Sequence, residues 1–273
     1  MRFDLHCHST ASDGKLSAHD LVARAIGNGV DVLAITDHDS LAAYGQLREV
    51  DLGALRLLPG VEISAQWREH SIHIVGLNVR IDGSALDEAL DGQRRARLDR
   101  AEIIADKLAK RGFPDLLSRI QSLAGNDSIG RPHFADQLVA MGATRTTDEA
   151  FRKYLSTDRL GKLQQYWASI DQAVEWIRNA GGTAVLAHPD KYSLTRTRLS
   201  ELVDDFKSAG GEAIEVVSGR QDMHKSRELG KLCEQKKLLA SSGSDFHQPG
   251  QSWAELGAQS PLPDQCTPVW DLW

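Results

Sequence analysis

The segment DLHCHSTASDG, residues 4 to 14, places His6 and His8 on either side of Cys7 behind an apolar strand start, and Asp13 follows in a Ser/Gly-rich turn. Side chains alternate faces along a strand, so the two imidazoles point the same way and can grip one metal ion. Cys7 then points to the opposite face and reads as a core residue rather than a ligand. Two ordinary surface histidines would explain these few residues as well. What ends the other strands decides between the readings.

The second strand runs into TDHD, giving Asp37, His38 and Asp39; Glu62 lies in GVEIS and His73 in SIHIVG; His188 ends LAH, and Asp245 and His247 sit in GSDFH. A single charged group at a strand end is ordinarily a surface or capping residue, because charges avoid the interior unless paired. Repeated placement of acids and imidazoles at one end of one sheet is poorly explained that way. Histidine with Asp and Glu, and no set of thiolates, suits Mn, Zn or Fe, with imidazole and carboxylate sharing several ions.

The elements that must position these groups alternate. FDLH, DVLAIT, LRLLPGVEISA and SIHIVGLNV read as strands. SAHDLVARAIGNG reads as a helix with Ser17 as N-cap and Gly29 as terminator, and SLAAYGQLREV as another. From residue 169 the beat resumes, with strands TAVLAH, EAIEVV and LLASSGSD each preceded by a helix. Such alternation predicts a parallel sheet covered by helices, open or closed into a barrel, and in a barrel the chemistry gathers at the C-terminal strand ends. Residues 82–168 break the beat with a long charged helix, ALDEALDGQRRARLDRAEIIADKLAKRG, and read as a helical insertion between a first part, 1–81, and a second, 169–273. The tail PLPDQCTPVWDLW is expected to pack back through Trp270 and Trp273.

Hydrophobic content of 41% and charged content of 26% in 273 residues are those of an ordinary globular protein. A net charge of −6 argues against broad binding to nucleic acid or membrane surfaces. Three scattered cysteines form no disulfide framework. The start MRFDLHCHST has no apolar signal core, and no apolar run nears the roughly 20 residues of a membrane span, so a cytoplasmic protein is expected, with no evident obligate protein partner. Cations are placed locally. Arg97 and Arg100, three apart in QRRARLDRA, share a helix face, which a solvated charged helix would explain equally well; Arg131 and His133 open the predicted helix of GRPHFA, where free N–H groups favour anions. No G-x-S-x-G elbow or glycine-rich phosphate loop is present.

Taken in order, HxH, Asp13, TDHD, the Glu62 and His73 strands, AHP and SGSDFH resemble the PHP (polymerase and histidinol phosphatase) family across nearly the whole chain. The resemblance implies a distorted (β/α)7 barrel carrying two or three metal ions. The stretches TASDG, RLDRA, RPHFA, FRKYL, QYWASIDQAVEWI and SSGSDFH are most similar to the 3′,5′-nucleoside bisphosphate phosphatases, whose relatives trim short RNA from the 5′ end. Asp13, where many family members carry histidine, agrees with that subgroup.

Carried over residue by residue, the resemblance implies one ion on His6, His8, Glu62 and Asp245, a second on Glu62, His73 and His188, and a third on Asp13, His38 and His247, with Mn the expected metal and Zn or Fe the alternatives. Asp37 is expected to orient a ligand rather than bind metal. Water between two such ions has its pKa lowered toward neutrality, giving a hydroxide nucleophile, while the other cations neutralise phosphate oxygens. Arg97, Arg100, Arg131, His133 and His247 are expected to bind the substrate, a small nucleotide or a short RNA. One departure concerns the segment after FRKYL: relatives carry a Gly-Lys pair and a Gly-Tyr-Val-like run where this chain reads STDRLGKLQQYW, leaving Arg159 to supply the missing charge. The alternatives are a phosphatase for another small phosphomonoester, such as histidinol phosphate, and a non-catalytic binding module of the same fold.

Overall fold

In the computed structural model, residues 1–81, 85–124, 128–161, 163 and 166–273 are described. The expected start of the insertion at Asp82 and Lys162 of the divergent segment lie outside them. The first elements are β1 (Phe3–Asp4), α1 (Ala18–Gly27), β2 (Val32–Leu33), α2 (Ala42–Gln46), β3 (Arg56–Leu57), β4 (Gly60–Trp67) and β5 (His70–Leu77). Then come α3 (Ala85–Ala109), α4 (Leu116–Ala124), α5 (Arg131–Ala140), α6 (Thr147–Ala150) and α7 (Thr157–Leu160). The alternation resumes with β6 (Ala168–Ser169), α8 (Ile170–Asn179), β7 (Thr183–Leu186), α9 (Arg196–Ser208), β8 (Ala213–Ser218), α10 (Met223–Lys236) and β9 (Leu239–Gly243).

Local signals explain most boundaries. Ser17 Oγ accepts from Asp20 N at 3.1 Å and starts α1; Gly29, at φ +72°, turns the chain after it, a conformation glycine adopts without a Cβ penalty. Pro59, which has no N–H to give a ladder, separates β3 from β4 where the apolar run predicted one strand. DVLAIT is regular only over Val32–Leu33 and SLAAYGQLREV only over Ala42–Gln46, because the chain between them is diverted to carry the TDHD residues.

β1, β2 and β3 form a parallel sheet; the larger sheet has the order β6-β4-β5-β7-β8-β9. It is not wholly parallel as expected: β5 runs antiparallel to both β4 and β7. Only Arg68 and Glu69 join β4 to β5, and Arg68 sits at φ +51°, so the link is a tight hairpin, far short of the dozen or so residues a parallel crossover needs. The sheets are stitched together on both sides. His38 bridges Glu62, while Leu5 N donates to Ser242 O at 3.1 Å and His8 N to Phe246 O at 2.9 Å. Backbone hydrogen bonds thus join the segment after β2 to β4 and the segment after β1 to the end of β9 and the residues beyond it.

Between the two sheets Leu5, Val32, Val75, Val185, Ala213 and Val269 make a buried apolar plug. The tail closes on it as expected, with Trp270 stacked on Phe3 at 4.3 Å. Helices α8, α9 and α10 cover the outer face of the larger sheet. Helices α3 to α7 surround a cluster of their own, centred on Phe134, Leu138, Ile104 and Leu108. Among the described residues no helix is long and apolar enough to cross a membrane.

Candidate metal centre

Glu62 faces inward from β4, on the same face as Ser64 and their partners Val75 and His73 in the register of the hairpin. It is fully buried. Its Oε1 lies 2.8 Å from His73 Nδ1 and 2.9 Å from His188 Nε2. Its Oε2 lies 3.3 Å from His6 Nε2, 3.2 Å from His8 Nε2 and 3.0 Å from His38 Nδ1. Asp245 Oδ1 adds contacts of 3.6 Å to His6 and 3.4 Å to His8. Asp13 lies 3.3 Å from His247 and 3.7 Å from His38. All nine residues expected to ligate metal therefore meet in one place.

Their atoms fit divalent cations better than they fit one another. His6 Nε2, His8 Nε2, His38 Nδ1, Glu62 Oε2 and Asp13 Oδ1 are closed off from solvent, yet none makes a well-angled hydrogen bond. Leaving such buried groups unpaired costs about 1–3 kcal/mol each, a cost that a shared cation removes. Four overlapping groups have ligand atoms within 4.8 Å of one another: His8, Asp13, His38 and His247; His6, Glu62 and His188; His6, His8 and Asp245; His38, Glu62 and His73. Burial alone would raise the Glu62 carboxyl, but the His38, His73 and His6 imidazoles hold it well below the usual carboxylate range. Burial pushes His38 down to about 4 despite Glu62 and Asp13, which leaves a neutral ring with a lone pair to give to a metal.

Three ligand-bearing turns have left-handed backbones at non-glycine residues: Asp39 at φ 52°, His188 at φ 27° and Asp245 at φ 53°. Such conformations cost on the order of 1–3 kcal/mol and persist only where neighbours over-determine them. Here each strained residue donates its own N–H into the centre: Asp39 to Glu62 O at 2.9 Å, Asp245 to His6 O at 2.8 Å, and His188 to the Glu215 carboxylate at 2.6 Å. The turns bring side chains from successive strand ends over the top of the apolar plug.

Asp37 belongs to none of the ligand groups. Its carboxylate accepts from Ser9 N at 2.8 Å, Ser9 Oγ at 2.6 Å and Ser12 Oγ at 2.6 Å, pinning the loop between His8 and Asp13. Glu215, which sequence reasoning passed over inside EAIEVV, does comparable work on the other side. It is buried, 3.1 Å from His6 Nδ1, and holds the His188 backbone. The signal was present as one acid in an otherwise apolar buried strand. Such partners fix the orientation of a ligating histidine, and their loss typically weakens metal binding about 10- to 100-fold. Glu215→Gln is expected to lower Mn²⁺ affinity by that factor with the fold retained, as read by metal titration and circular dichroism; unaltered affinity would refute the orienting role.

Across a cavity of about 270 Å³ from Glu62 stand Arg97, Arg100 and Arg131. Arg97 and Arg100 project from α3 and both lie over the Trp167 ring at 5.1 Å. They are not solvated helix charges: their exposures are 5% and 8%. The pair divides in role. Arg97 forms an ion pair with the buried Asp39 and donates to Ser64 Oγ at 2.8 Å, and Gln93 joins the same network through Ser64 O at 2.6 Å. Arg100 and Arg131 have no ion-pair partner among the described residues. Burial, with Arg131 and Arg97 nearby, pushes Arg100 down to about 9, as for a cation lacking its anion. Lys191, not foreseen from the sequence, pairs with Asp245 at the cavity edge.

One expected substrate contact and the residue expected to replace a missing lysine are placed away from this cavity. His133 is not among the residues lining this cavity. Its Nδ1 accepts from Gly130 N at 3.0 Å at the start of α5, and its ring lines a separate recess beside Ser12 and Lys15. Arg159 is exposed on α7 and is likewise not among the lining residues, since its short helix turns the side chain outward. His247 lines the cavity and also belongs to the Asp13 group. His70 lines a recess of about 510 Å³ that continues past Arg100 and Trp167.

Comparison with known proteins agrees with this geometry. The family model described as PHP domain matches residues 4–216. The 5′-3′ exoribonuclease Rnm of Escherichia coli (strain K12) is 43% identical, over 99% of this chain and 93% of its own. The 3′,5′-nucleoside bisphosphate phosphatase of Chromobacterium violaceum is 39% identical, over 98% of this chain and 94% of its own. A solved amidohydrolase from Chromobacterium violaceum, with bound sulfate and no metal, superposes with a TM-score of 0.92 at 37% identity, covering 100% of this chain and 95% of that one. With the family match running from the strand before His6 to the strand that holds Glu215, and relatives aligned nearly end to end, the chain belongs to the PHP domain family.

Proposed function

We propose that this protein is a metal-dependent phosphoesterase that removes the 3′-phosphate of nucleoside 3′,5′-bisphosphates, leaving 5′-mononucleotides, and that it also trims short 5′-phosphorylated RNA from its 5′ end. The observation that carries the reading is one cavity with two opposed walls, metal-type ligands around Glu62 on one side and, on the other, the buried Arg100 and half-buried Arg131, which have no ion-pair partner among the described residues. A ligand with two phosphates satisfies both walls; histidinol phosphate, cationic at its amine, would set a positive charge toward guanidiniums. The relatives named as a bisphosphate phosphatase and an exoribonuclease support the same substrate class.

Three ions, Mn in the first instance, are assigned to His6, His8, Glu62 and Asp245; to Glu62, His73 and His188; and to Asp13, His38 and His247, with His8 and His38 near enough to a second group to be shared. Bound there, divalent ions supply an activated water and positive charge for the reacting phosphate. The chain's own residues do the rest. Arg100 and Arg131 hold the non-reacting 5′-phosphate, so its binding energy orients the 3′-phosphate. Arg97, locked by Asp39 and Ser64, keeps α3 over the cavity. Water's oxygen joins phosphorus, the P–O3′ bond breaks, and the nucleoside 3′-oxygen leaves as a hydroxyl; the same bond breaks in RNA. We assign α3 to α7 the role of a cap, since they bring the arginines to the strand ends. The test is phosphate release from adenosine 3′,5′-bisphosphate, adenosine 3′-phosphate and adenosine 5′-phosphate by metal-stripped protein with and without Mn²⁺, alongside elemental analysis. Release from the bisphosphate above all, restored by Mn²⁺ with close to three ions per chain, is expected; fewer than one ion taken up, or equal rates on all three nucleotides, would refute the proposal.

A further inference from the structure

Besides the arginine-walled cavity, a further opening reaches some of the same ligands. On the other side of Asp13, Asp245 and His247 a groove of about 460 Å³ runs outward past the ends of β8 and β9 to Arg220 and Trp253. Trp253 is 61% exposed. Single exposed apolar side chains are ordinary on a surface, but this one is built in. Arg220 N donates to Trp253 O at 2.6 Å. Gly219, at φ +60°, approaches that carbonyl so closely that a Cβ would lie 2.4 Å from it. The Trp253 backbone is thereby seated against the end of β8, and the residue lines the groove with its side chain exposed.

The groove's charges single out Arg220. Lys15 pairs with Asp136, Lys191 with Asp245 and Lys225 with Asp190, and Asp222 accepts from the first N–H groups of α10. Arg220 is exposed and has no ion-pair partner among the described residues. An exposed aromatic side chain on an anchored backbone, beside a guanidinium with no ion-pair partner among the described residues and in one groove with Asp13, Asp245 and His247, matches the two recurring elements of single-stranded nucleic-acid sites, a stacking platform and a backbone cation.

We infer that this groove binds the nucleotide on the 3′ side of the bond that breaks, with its base on the Trp253 indole and the phosphate that follows beside Arg220. The inference rests on the proposed phosphoesterase reading and extends it. In RNA the reacting phosphorus carries the 5′-oxygen of the next nucleotide, which must lead away from the arginines holding the first 5′-phosphate; the groove opens on that side. The adenosine bisphosphate has nothing to place there. Stacking accepts any base, so trimming would be tolerant of sequence.

The experiment compares Trp253→Ala, Trp253→Phe and Arg220→Gln with the wild type, all Mn²⁺-loaded, on 5′-phosphorylated triadenylate (first nucleotide release) and on adenosine 3′,5′-bisphosphate. The ratio of kcat/KM for the trinucleotide to that for the bisphosphate is expected to fall about 10- to 100-fold in Trp253→Ala, mainly through KM. Trp253→Phe should recover most of it, and Arg220→Gln should lower the ratio while flattening its dependence on salt. An unchanged ratio in Trp253→Ala and Arg220→Gln would overturn the assignment, as would a wild-type enzyme that hydrolyses the bisphosphate and leaves the trinucleotide intact. A wild type inert toward both would instead remove the reading beneath it.

Discussion

Glu62→Gln is expected to lower phosphate release by about 10²- to 10⁴-fold and to strip metal from more than one position. The amide keeps the size of the side chain but removes its charge and turns one oxygen into an N–H₂ group aimed at imidazole nitrogens. His6, His8 and His38 converge on one oxygen and His73 and His188 on the other, so the defect is felt on both sides of the carboxylate at once. Removing one partner from a buried charge cluster costs about 3–5 kcal/mol, which at 1.36 kcal/mol per tenfold gives the range stated. Initial rates on adenosine 3′,5′-bisphosphate with saturating Mn²⁺, together with metal content by elemental analysis, are the measurements. Near-normal turnover with a full complement of metal would contradict a bridging Glu62.

The two arginines of α3 are expected to separate sharply when each is replaced. Arg100→Ala removes a buried cation that has no carboxylate partner among the described residues, so the folded protein loses little stability, but the 5′-phosphate loses a charge-assisted contact of roughly 1.5–3 kcal/mol. The kcat/KM for adenosine 3′,5′-bisphosphate should drop about 10- to 100-fold, with little change for adenosine 3′-phosphate, which carries no 5′-phosphate. Lysine at position 100 should rescue only part of the loss, because it lacks the two-pronged donor geometry. Arg97→Ala leaves Asp39 buried and unpaired beside Ser64, so its cost of about 3–5 kcal/mol should appear first in thermal stability and in both substrates alike. A thermal melt and a two-substrate rate comparison on each variant decide the matter. Equal losses on both substrates in Arg100→Ala, or an undiminished melting temperature in Arg97→Ala, would invalidate the division of roles.

The placement of the candidate site was legible in the sequence wherever it depends on local geometry. The spacing of His6 and His8 needs only the two-residue repeat of an extended chain. The capping of α1 by Ser17 needs only a side-chain oxygen within reach of Asp20 N. The order of HxH, TDHD, AHP and GSDFH, read as a resemblance, led to a family that the full-length comparison supports. That Cys7 faces away from His6 and His8 followed from the same alternation: its side chain packs with Leu21 and Ala25 of α1, and its thiol donates to Ala34 O at 3.3 Å.

What only the tertiary structure decided is which groups share a buried environment. His6 meets Glu215 across 209 residues and Arg97 meets Asp39 across 58; no periodicity links such positions, and a buried charge takes its meaning from the partner that neutralises it. Arg97 and Arg100 look alike in RLDRA, yet one is tied to the sheet and the other is left facing a cavity. The antiparallel course of β5 likewise hangs on a two-residue turn, where the strand pattern of SIHIVG reads the same in either direction. That reversal sets His73 diagonally across from Glu62. The left-handed backbones at Asp39, His188 and Asp245 are affordable only because neighbouring strands hold their N–H groups. Residue types and their order are local properties of the chain, whereas convergence on one carboxylate comes from the packing of strands far apart in it.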